Sequence, residues 1–254
     1  FNKTEAITLE QSKLTLSKDI TVLSFSDSSM VDRNSSIIKV DSGWIVYSKN
    51  SESSILSFTS DGQFSGYIGH RGNGPGEYTS VYDVVVNQKS KVLEVLSDGG
   101  IFCYTFGGDF LDKKEVTYPA FSFAIDDRQN YWFYVGNNTT YGDAKMICTD
   151  ENIANVAYYL HQKSNMLPMV ENNFGRNGEW LTFHESLNHD LYTIENGKLD
   201  LSYAMDFPNY KLPKKLHELS GMEVIEELQR SNYASIINLS LIHISEPTRQ
   251  AEIS

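Results

Sequence analysis

The sequence predicts an all-β protein of the β-propeller class, and three observations lead to that prediction. Four turns recur at steps of roughly 45 residues, which is the length of one four-stranded propeller blade. Each turn is preceded by short runs in which apolar and polar residues alternate, as they do along a strand with one buried face. Aromatic residues make up 12% of the chain, and large rings suit sheets that pack face to face. The four turns are Asp61-Gly62, Gly107-Gly108, Glu151-Asn152 and Asn196-Gly197.

The alternating runs divide most of the chain into successive blades, which together form one partial propeller domain over residues 1–238. An N-terminal strand is predicted over residues 14–25, before the first blade. The first strand of each blade is predicted to lie innermost, beside a central channel. The predicted blades cover about residues 36–69, 80–116, 120–160 and 166–207. The first three inner strands are predicted at Ser36–Val40, Ser80–Val86 and Ala120–Ile125.

A helical insertion is predicted over residues 212–230, where the spacing of apolar residues changes from two to that of a helix. Pro213 suits the first turn of a helix, and Gly221 indicates a break. We therefore expect one broken helix or two short ones, packed on the rest of the domain. The apolar positions are Leu212, Leu216, Leu219, Val224, Ile225 and Leu228.

Composition excludes some classes of function. The formal net charge of -12 repels phosphate backbones, so nucleic acid is not an expected partner. No apolar run approaches the length of a membrane span, so no transmembrane segment is expected. Cys103 and Cys148 fall on corresponding strands of successive repeats, and free buried thiols are the favoured interpretation.

Residues 239–254 differ from everything before them. Leu239 to Arg249 resemble the translation of a transposase-type sequencing adapter, and the rest resembles its flank. We therefore interpret residues 239–254 as an artefact tail and exclude them from reasoning about the fold. The natural protein is expected to continue past Asn238 and to contain further blades.

One segment carries a sharp motif, His70-Arg-Gly-Asn-Gly-Pro-Gly-Glu-Tyr78, between the first and second repeats. Three glycines in five positions allow a compact loop with positive φ angles. Glu77 is expected to accept hydrogen bonds from loop amides or to pair with Arg71. A phosphate-binding P-loop is rejected, because no Lys-Ser/Thr follows the glycines and the next element is a strand. Two interpretations remain: a connection that fixes blade geometry, which is favoured, and a ligand site.

The order of strand, Asp-Gly hairpin, strand, Gly74-Pro-Gly-Glu-Tyr78 loop and a strand with Asp83 resembles the six-bladed β-propeller proteins of Bacteroidetes. These proteins are related to the NHL-repeat propellers. The resemblance covers about Leu14 to Asn238 and implies six blades, of which four are recognisable here. It also implies export, often as a lipoprotein, to the periplasm, the outer membrane or the outside of the cell.

The preferred function is non-catalytic binding of a glycan, a peptide or an envelope protein by loops gathered at one end of the ring. No cofactor, metal ligand or catalytic residue is assigned. The alternative, implied by NHL-like enzymes, is a channel-centred lyase or hydrolase that could depend on a metal. The candidate ligand contacts are His70, Arg71, Asn73, Glu77, Tyr78 and Asp83.

Two further groups of residues receive structural interpretations. His184 and His189, with Glu185 and Asp190 beside them, are interpreted as an exposed polar turn and not as a metal site. The three tryptophans are interpreted as packing between blades and not as a stacking surface for a ligand. They are Trp44, Trp132 and Trp180.

Overall fold

The structure is a computed structural model that describes residues 20–24, 35–49, 54–136, 138, 142–161, 172–177, 180–207, 209–219 and 222–230. Within these residues the chain forms four antiparallel sheets of four strands each, arranged as blades of a β-propeller. This arrangement confirms the predicted fold class. In every blade, strands that are neighbours in sequence are also neighbours in the sheet.

The strands occupy the following residues. Blade 1 contains β1 (Ser36–Val40), β2 (Gly43–Tyr47), β3 (Ile55–Thr59) and β4 (Phe64–Ile68). A short parallel pair, β5 (His70–Arg71) and β6 (Glu77–Tyr78), follows it. Blade 2 contains β7 (Asp83–Asn87), β8 (Val92–Ser97), β9 (Gly100–Tyr104) and β10 (Phe110–Glu115). Blade 3 contains β11 (Ser122–Ile125), β12 (Tyr131–Tyr134), β13 (Ala144–Thr149) and β14 (Ala157–His161). Blade 4 contains β15 (Phe174–Asn177), β16 (Trp180–Phe183), β17 (Asp190–Glu195) and β18 (Lys198–Ala204).

All four predicted turns lie between the third and fourth strands of their blades. In blades 1 to 3 a side-chain oxygen before the turn accepts a hydrogen bond from the backbone amide four residues later. This local bond stabilises the turn. Thr59 bonds the amide of Gln63 at 3.1 Å, and Thr105 bonds that of Asp109 at 3.1 Å. Asp150 does the same in blade 3. In blade 4 a two-residue turn suffices, with Asn196 and Gly197 at φ angles of 55° and 72°.

The first strands of blades 2, 3 and 4 lie side by side, since β11 is adjacent to both β7 and β15. Along these strands, consecutive side chains point to opposite neighbouring blades. Val84 packs toward blade 1 and Val85 toward blade 3. Phe123 packs toward blade 2 and Ala124 toward blade 4.

Each pair of adjacent blades shares one hydrophobic cluster. Ile45 of blade 1 meets Leu93 of blade 2, and Ile101 of blade 2 shares a cluster with Phe133 of blade 3. Trp132 of blade 3 shares the third cluster with Phe183 of blade 4. Removing each such side chain from water contributes about 1.5–3 kcal/mol. The stability of the arc therefore comes from contacts between neighbours.

The prediction for the tryptophans is right for Trp132, which is fully buried between blades 3 and 4. It is wrong for Trp180, whose side chain is 67% exposed at the start of β16. The alternation of β16 explains the difference, because Leu181 and Phe183 point toward blade 3 and Trp180 points away. Cys103 and Cys148 are free, buried thiols, as predicted.

The segments outside the blades fit the predictions in part. A 3₁₀ helix (Lys214–Glu218) and α1 (Met222–Arg230) follow blade 4. They pack through Leu216 and Val224 on Leu187, which lies between β16 and β17. Neither helix, among the described residues, has the length and apolarity needed to cross a bilayer.

Of the predicted N-terminal strand, only residues 20–24 are described. Ser24 forms a single parallel bridge with Gln63, and Leu23 packs on the face of blade 1 that points away from blade 2. Residues 14–19 and 25 lie outside the described residues, as do Gly221, Asn238 and the predicted artefact tail 239–254.

Candidate functional site

The loop from His70 to Tyr78 is closed by its own backbone and by one carboxylate. The Gly74 amide donates to Oε2 of Glu77 at 2.8 Å, and the Glu77 amide donates to the Gly74 carbonyl at 3.0 Å. The Gly72 amide donates to the Tyr78 carbonyl at 3.0 Å. Glu77 thus accepts a hydrogen bond from a loop amide, as the sequence predicted. These three bonds order the backbone of the loop.

Two aromatic side chains of blade 2 contact the loop at Gly76. Gly76 has a φ of +74°, and a Cβ added to it would lie 2.5 Å from the ring of Phe110. The hydroxyl of Tyr104 donates to the Gly76 carbonyl at 2.9 Å. Glycine is therefore required here both by the backbone conformation and by the close approach of the aromatic ring. These contacts fit the interpretation of the loop as a connection that fixes blade geometry.

Tyr78 is a buried support of the loop and not part of its surface. Its hydroxyl donates to the Ile68 carbonyl and accepts from the Ile55 amide, both at 3.3 Å. Its ring lies in the cluster shared by blades 1 and 2, and burial raises the pKa of its hydroxyl. A ligand at the loop would therefore meet other side chains first.

His70, Arg71 and Asn73 are the exposed members of the predicted site. Nε of Arg71 donates to the Thr79 carbonyl at 2.8 Å, which holds the guanidinium group against the next turn of the chain. Paired residues of a parallel strand pair share a face, so His70 lies on the face of Glu77 and Arg71 on that of Tyr78. The loop thus presents one polar side chain on each face.

A cluster of hydroxyl groups around Asp98 continues this surface. Its carboxylate accepts from Thr79 at 2.7 Å and from Ser80 at 3.2 Å, and also from the Tyr82 hydroxyl. These bonds, that of Tyr82 first, lower the pKa of Asp98. The carboxylate therefore stays ionised at neutral pH and fixes the residues between the loop and β7.

Asp83 lies apart from the exposed side chains, in the interior. Oδ1 is 2.8 Å from Nζ of Lys49 in blade 1, and Oδ2 accepts from the Phe123 amide in blade 3 at 3.1 Å. Both charged side chains are nearly inaccessible to solvent. Asp83 therefore joins three consecutive blades, and the structure does not bring it together with His70, Arg71 and Asn73.

Asp83 belongs to a series of small polar residues, one from each blade, which we call the inner polar series. Ser36, Asp83 and Ser122 pair with the last or next-to-last residue of the second strand in their blades. Asn173 takes the same place in blade 4, where its carbonyl accepts from the His184 amide at 3.0 Å. The Ser122 hydroxyl and Oδ1 of Asn173 are 2.8 Å apart. The series links neighbouring blades at the end where the first strands begin.

A second buried ion pair joins blades 3 and 4 at the same end. Nζ of Lys145 lies 3.0 Å from Oε1 of Glu185. Glu185 also accepts from the Tyr134 hydroxyl at 3.0 Å and from the Asn188 side chain at 3.1 Å. The prediction of an exposed polar turn at His184 and Glu185 is wrong, because both are buried against blade 3.

No role was predicted from the sequence for Lys49, Ser122, Asn173 and Lys145, and Glu185 was predicted to lie in an exposed turn. Aligning the repeats on the start of each first strand would have revealed Ser122 and Asn173, since the same position is Ser or Asp in the other blades. Lys145 and Glu185 have no such signal, because they occupy different positions in their blades. Among the described residues, no three His, Cys, Asp or Glu side chains are grouped as a metal site requires.

Comparison with known proteins gives a family and a fold. The family model described as "Domain of unknown function (DUF4934)" matches residues 4–242. A crystal structure of a protein described as exported, from Bacteroides fragilis NCTC 9343, is 16% identical with a TM-score of 0.73. The match covers 85% of this chain and 64% of that one. At this identity the likeness shows the fold alone.

Two more distant structures also align. A member of the duf4221 family from Bacteroides vulgatus is 10% identical, with a TM-score of 0.48, over 74% of this chain and 62% of that one. Virginiamycin B lyase from Staphylococcus aureus is 16% identical, with a TM-score of 0.43, over 71% and 56%. The chain spans less than two thirds of the length of each of the three structures. None of the curated proteins matches the chain.

Proposed function

The chain belongs to the family described as Domain of unknown function (DUF4934), and from that premise we propose that it is a non-catalytic binding protein of the bacterial cell envelope. It recognises a glycan, a peptide or another protein through the exposed loop side chains next to the start of the first strands. Loops held by a rigid sheet scaffold are a common place for recognition. The fold shared with an exported protein of Bacteroides fragilis supports a location outside the cytoplasm.

One observation carries the proposal: the loop is rigid while three of its polar side chains are exposed. The bonds of Gly74 to Glu77 and of Gly76 to Tyr104 fix the backbone. His70, Arg71 and Asn73 then project from an ordered loop backbone, with His70 and Arg71 on its two faces. Such a surface loses little conformational entropy when a ligand binds, which favours affinity.

The charges near the inner polar series support recognition more than catalysis. Lys49 is paired with Asp83, and Lys145 with Glu185, each pair nearly closed to solvent. A general acid or base must come within hydrogen-bond reach of its substrate. Because these groups bind each other across blades, their arrangement suits stiffening of the scaffold. The alternative of a channel-centred lyase or hydrolase gains no support from them.

The direct test is a binding screen of the purified chain on an array of bacterial glycans, peptidoglycan fragments and envelope-derived peptides. We expect at least one class of probe to bind, and we expect Arg71→Ala and Asn73→Ala to weaken that binding about tenfold or more, as loss of a charged or bidentate contact does. His70→Ala is expected to act in the same direction.

Lys89→Ala supplies a matched control. Lys89 is an exposed cation in the turn between β7 and β8, at the opposite end of the first strand of blade 2. Its removal should leave binding unchanged. The proposal fails if no probe binds, or if the loop variants bind as the parent does while the chain remains folded.

A further inference from the structure

Phe110, the first residue of β10, is an exposed aromatic residue whose neighbours hold it in place. Its ring centroid lies 5.8 Å from that of Tyr104 and 6.5 Å from that of Phe102. Gly76 of the loop lies against the ring, where an added Cβ would come within 2.5 Å of it. Phe110 is nevertheless 43% exposed, and Pro75, beside Gly76, is exposed as well. The loop and blade 2 together therefore present a small apolar surface with a fixed aromatic ring.

Asn73 supplies polar groups next to this surface. A Cβ added to either of its neighbours, Gly72 or Gly74, would meet the Glu77 carboxylate, so the positions on both sides of Asn73 face the inside of the loop. Asn73 itself is exposed. It precedes Gly76 by three residues, which limits the backbone distance between the two to about 10 Å. Its amide both donates and accepts hydrogen bonds, as a sugar hydroxyl does.

The rest of β10 disfavours a peptide that adds to the sheet as a further strand. The register of β10 with β9 shifts between Phe110 and Asp112, and such a bulge interrupts the regular edge on which a peptide would pair. Every residue from Asp112 to the end of the strand is charged, which also protects an edge from pairing. Asp112 and Glu115 are exposed, and together with the net charge of -12 they repel acidic ligands.

On the basis of the proposed binding function, we propose that the ligand of the loop is a neutral glycan, with one sugar ring stacked on Phe110 and a nearby sugar hydroxyl bonded to Asn73. One face of a pyranose ring carries C–H groups, which pack on the electron-rich face of an aromatic ring. The edges of the sugar carry hydroxyl groups, which need polar partners. A fixed aromatic ring beside an ordered polar loop supplies both, at a small loss of conformational entropy.

Isothermal titration calorimetry of the full chain tests the proposal, with neutral gluco-, manno-, galacto- and xylo-oligosaccharides, uronic-acid oligosaccharides and envelope-derived peptides as probes. We expect a neutral oligosaccharide to bind. Phe110→Leu keeps an apolar side chain but removes the aromatic ring, so its affinity should fall about threefold to tenfold. Phe110→Tyr keeps the ring and should bind as the parent does. Phe121→Leu is the matched control, since Phe121 is 40% exposed and lies just before β11 in blade 3. Its replacement should leave the affinity unchanged.

The outcomes separate this ligand assignment from the binding function itself. If only peptides or uronic-acid oligosaccharides bind, and Arg71→Ala and Asn73→Ala weaken that binding, the function stands and the neutral glycan is wrong. If a neutral oligosaccharide binds Phe110→Leu as tightly as the parent, the stacking on Phe110 is wrong. If no probe of any class binds, both proposals fail.

A second measurement needs no variant, so a Phe110→Leu chain that fails to fold does not remove the test. In saturation-transfer difference NMR of the parent chain, saturation of the aromatic protons should reach the C–H protons of one sugar ring most strongly. Even transfer along the whole oligosaccharide would contradict stacking on a single aromatic residue.

Discussion

Oδ2 of Asp83, in the first strand of blade 2, accepts a 3.1 Å hydrogen bond from the amide of Phe123, in the first strand of blade 3. The same carboxylate is paired with Lys49 of blade 1. Asp83, which was predicted as a ligand contact, thus links three blades through its carboxylate. A buried acid in such a place is satisfied by the protein itself, and its removal should be felt in stability.

Replacing Asp83 with Ala should lower the free energy of unfolding by about 3–5 kcal/mol, because the buried ammonium group of Lys49 would lose the carboxylate that lies 2.8 Å from it. Urea denaturation followed by circular dichroism measures the change. The double variant Lys49→Met/Asp83→Leu should recover most of the loss, since it removes both charges. Equal midpoints for the parent and Asp83→Ala would show that the pair does not join the blades.

Gly76→Ala should destabilise the chain by about 1–3 kcal/mol, because its φ of +74° and the ring of Phe110 leave no room for a Cβ. Gly107→Ala is a suitable control, since the nearest atom to its added Cβ is a Thr105 side-chain oxygen at 3.5 Å. The thermal unfolding midpoints of the two variants, compared with that of the parent, measure the difference in stability. A Gly76 variant as stable as the Gly107 variant would mean that the loop does not rest on blade 2.

Asp98 should contribute to the loss of stability of the folded chain at low pH. The hydrogen bond from Tyr82, followed by that from Thr79, lowers its pKa from the ordinary 3.8. A lowered pKa in the folded state adds stability that is complete above the unfolded pKa and is lost as the pH falls through the folded pKa. Thermal midpoints between about pH 6 and pH 2 should therefore fall less steeply in Asp98→Asn. Parallel curves for parent and variant would contradict this assignment.

Neither thiol should react in the folded chain. Burial is the largest cause that raises the pKa of Cys103 and of Cys148, each to about 12. At pH 8 roughly one thiol in ten thousand is then ionised, and access is blocked as well. Ellman's reagent should titrate no thiol before denaturant is added and two afterwards. Rapid labelling of a thiol under native conditions would count against the buried positions of β9 and β13.

The recurring turns and alternating runs made the sheets predictable, because turn chemistry and the two-residue period of a strand are local properties. The candidate site was only partly predictable for the opposite reason. Glu77 was found because its partner is three residues away, whereas the partner of Asp83 is in another blade. The prediction for Trp180 was wrong because a sequence does not show whether another blade covers the face on which a side chain lies.

The three shared clusters also determine how the arc would respond to force. Each cluster joins adjacent blades only, and the described blades have no common core. A force applied to the two ends of the chain therefore acts on three interfaces between blades, one after another. Under optical tweezers, extension should proceed in steps, with outer blades detaching first. Blade 3, which is held by a cluster and a buried carboxylate bond on both sides, should be among the last to yield.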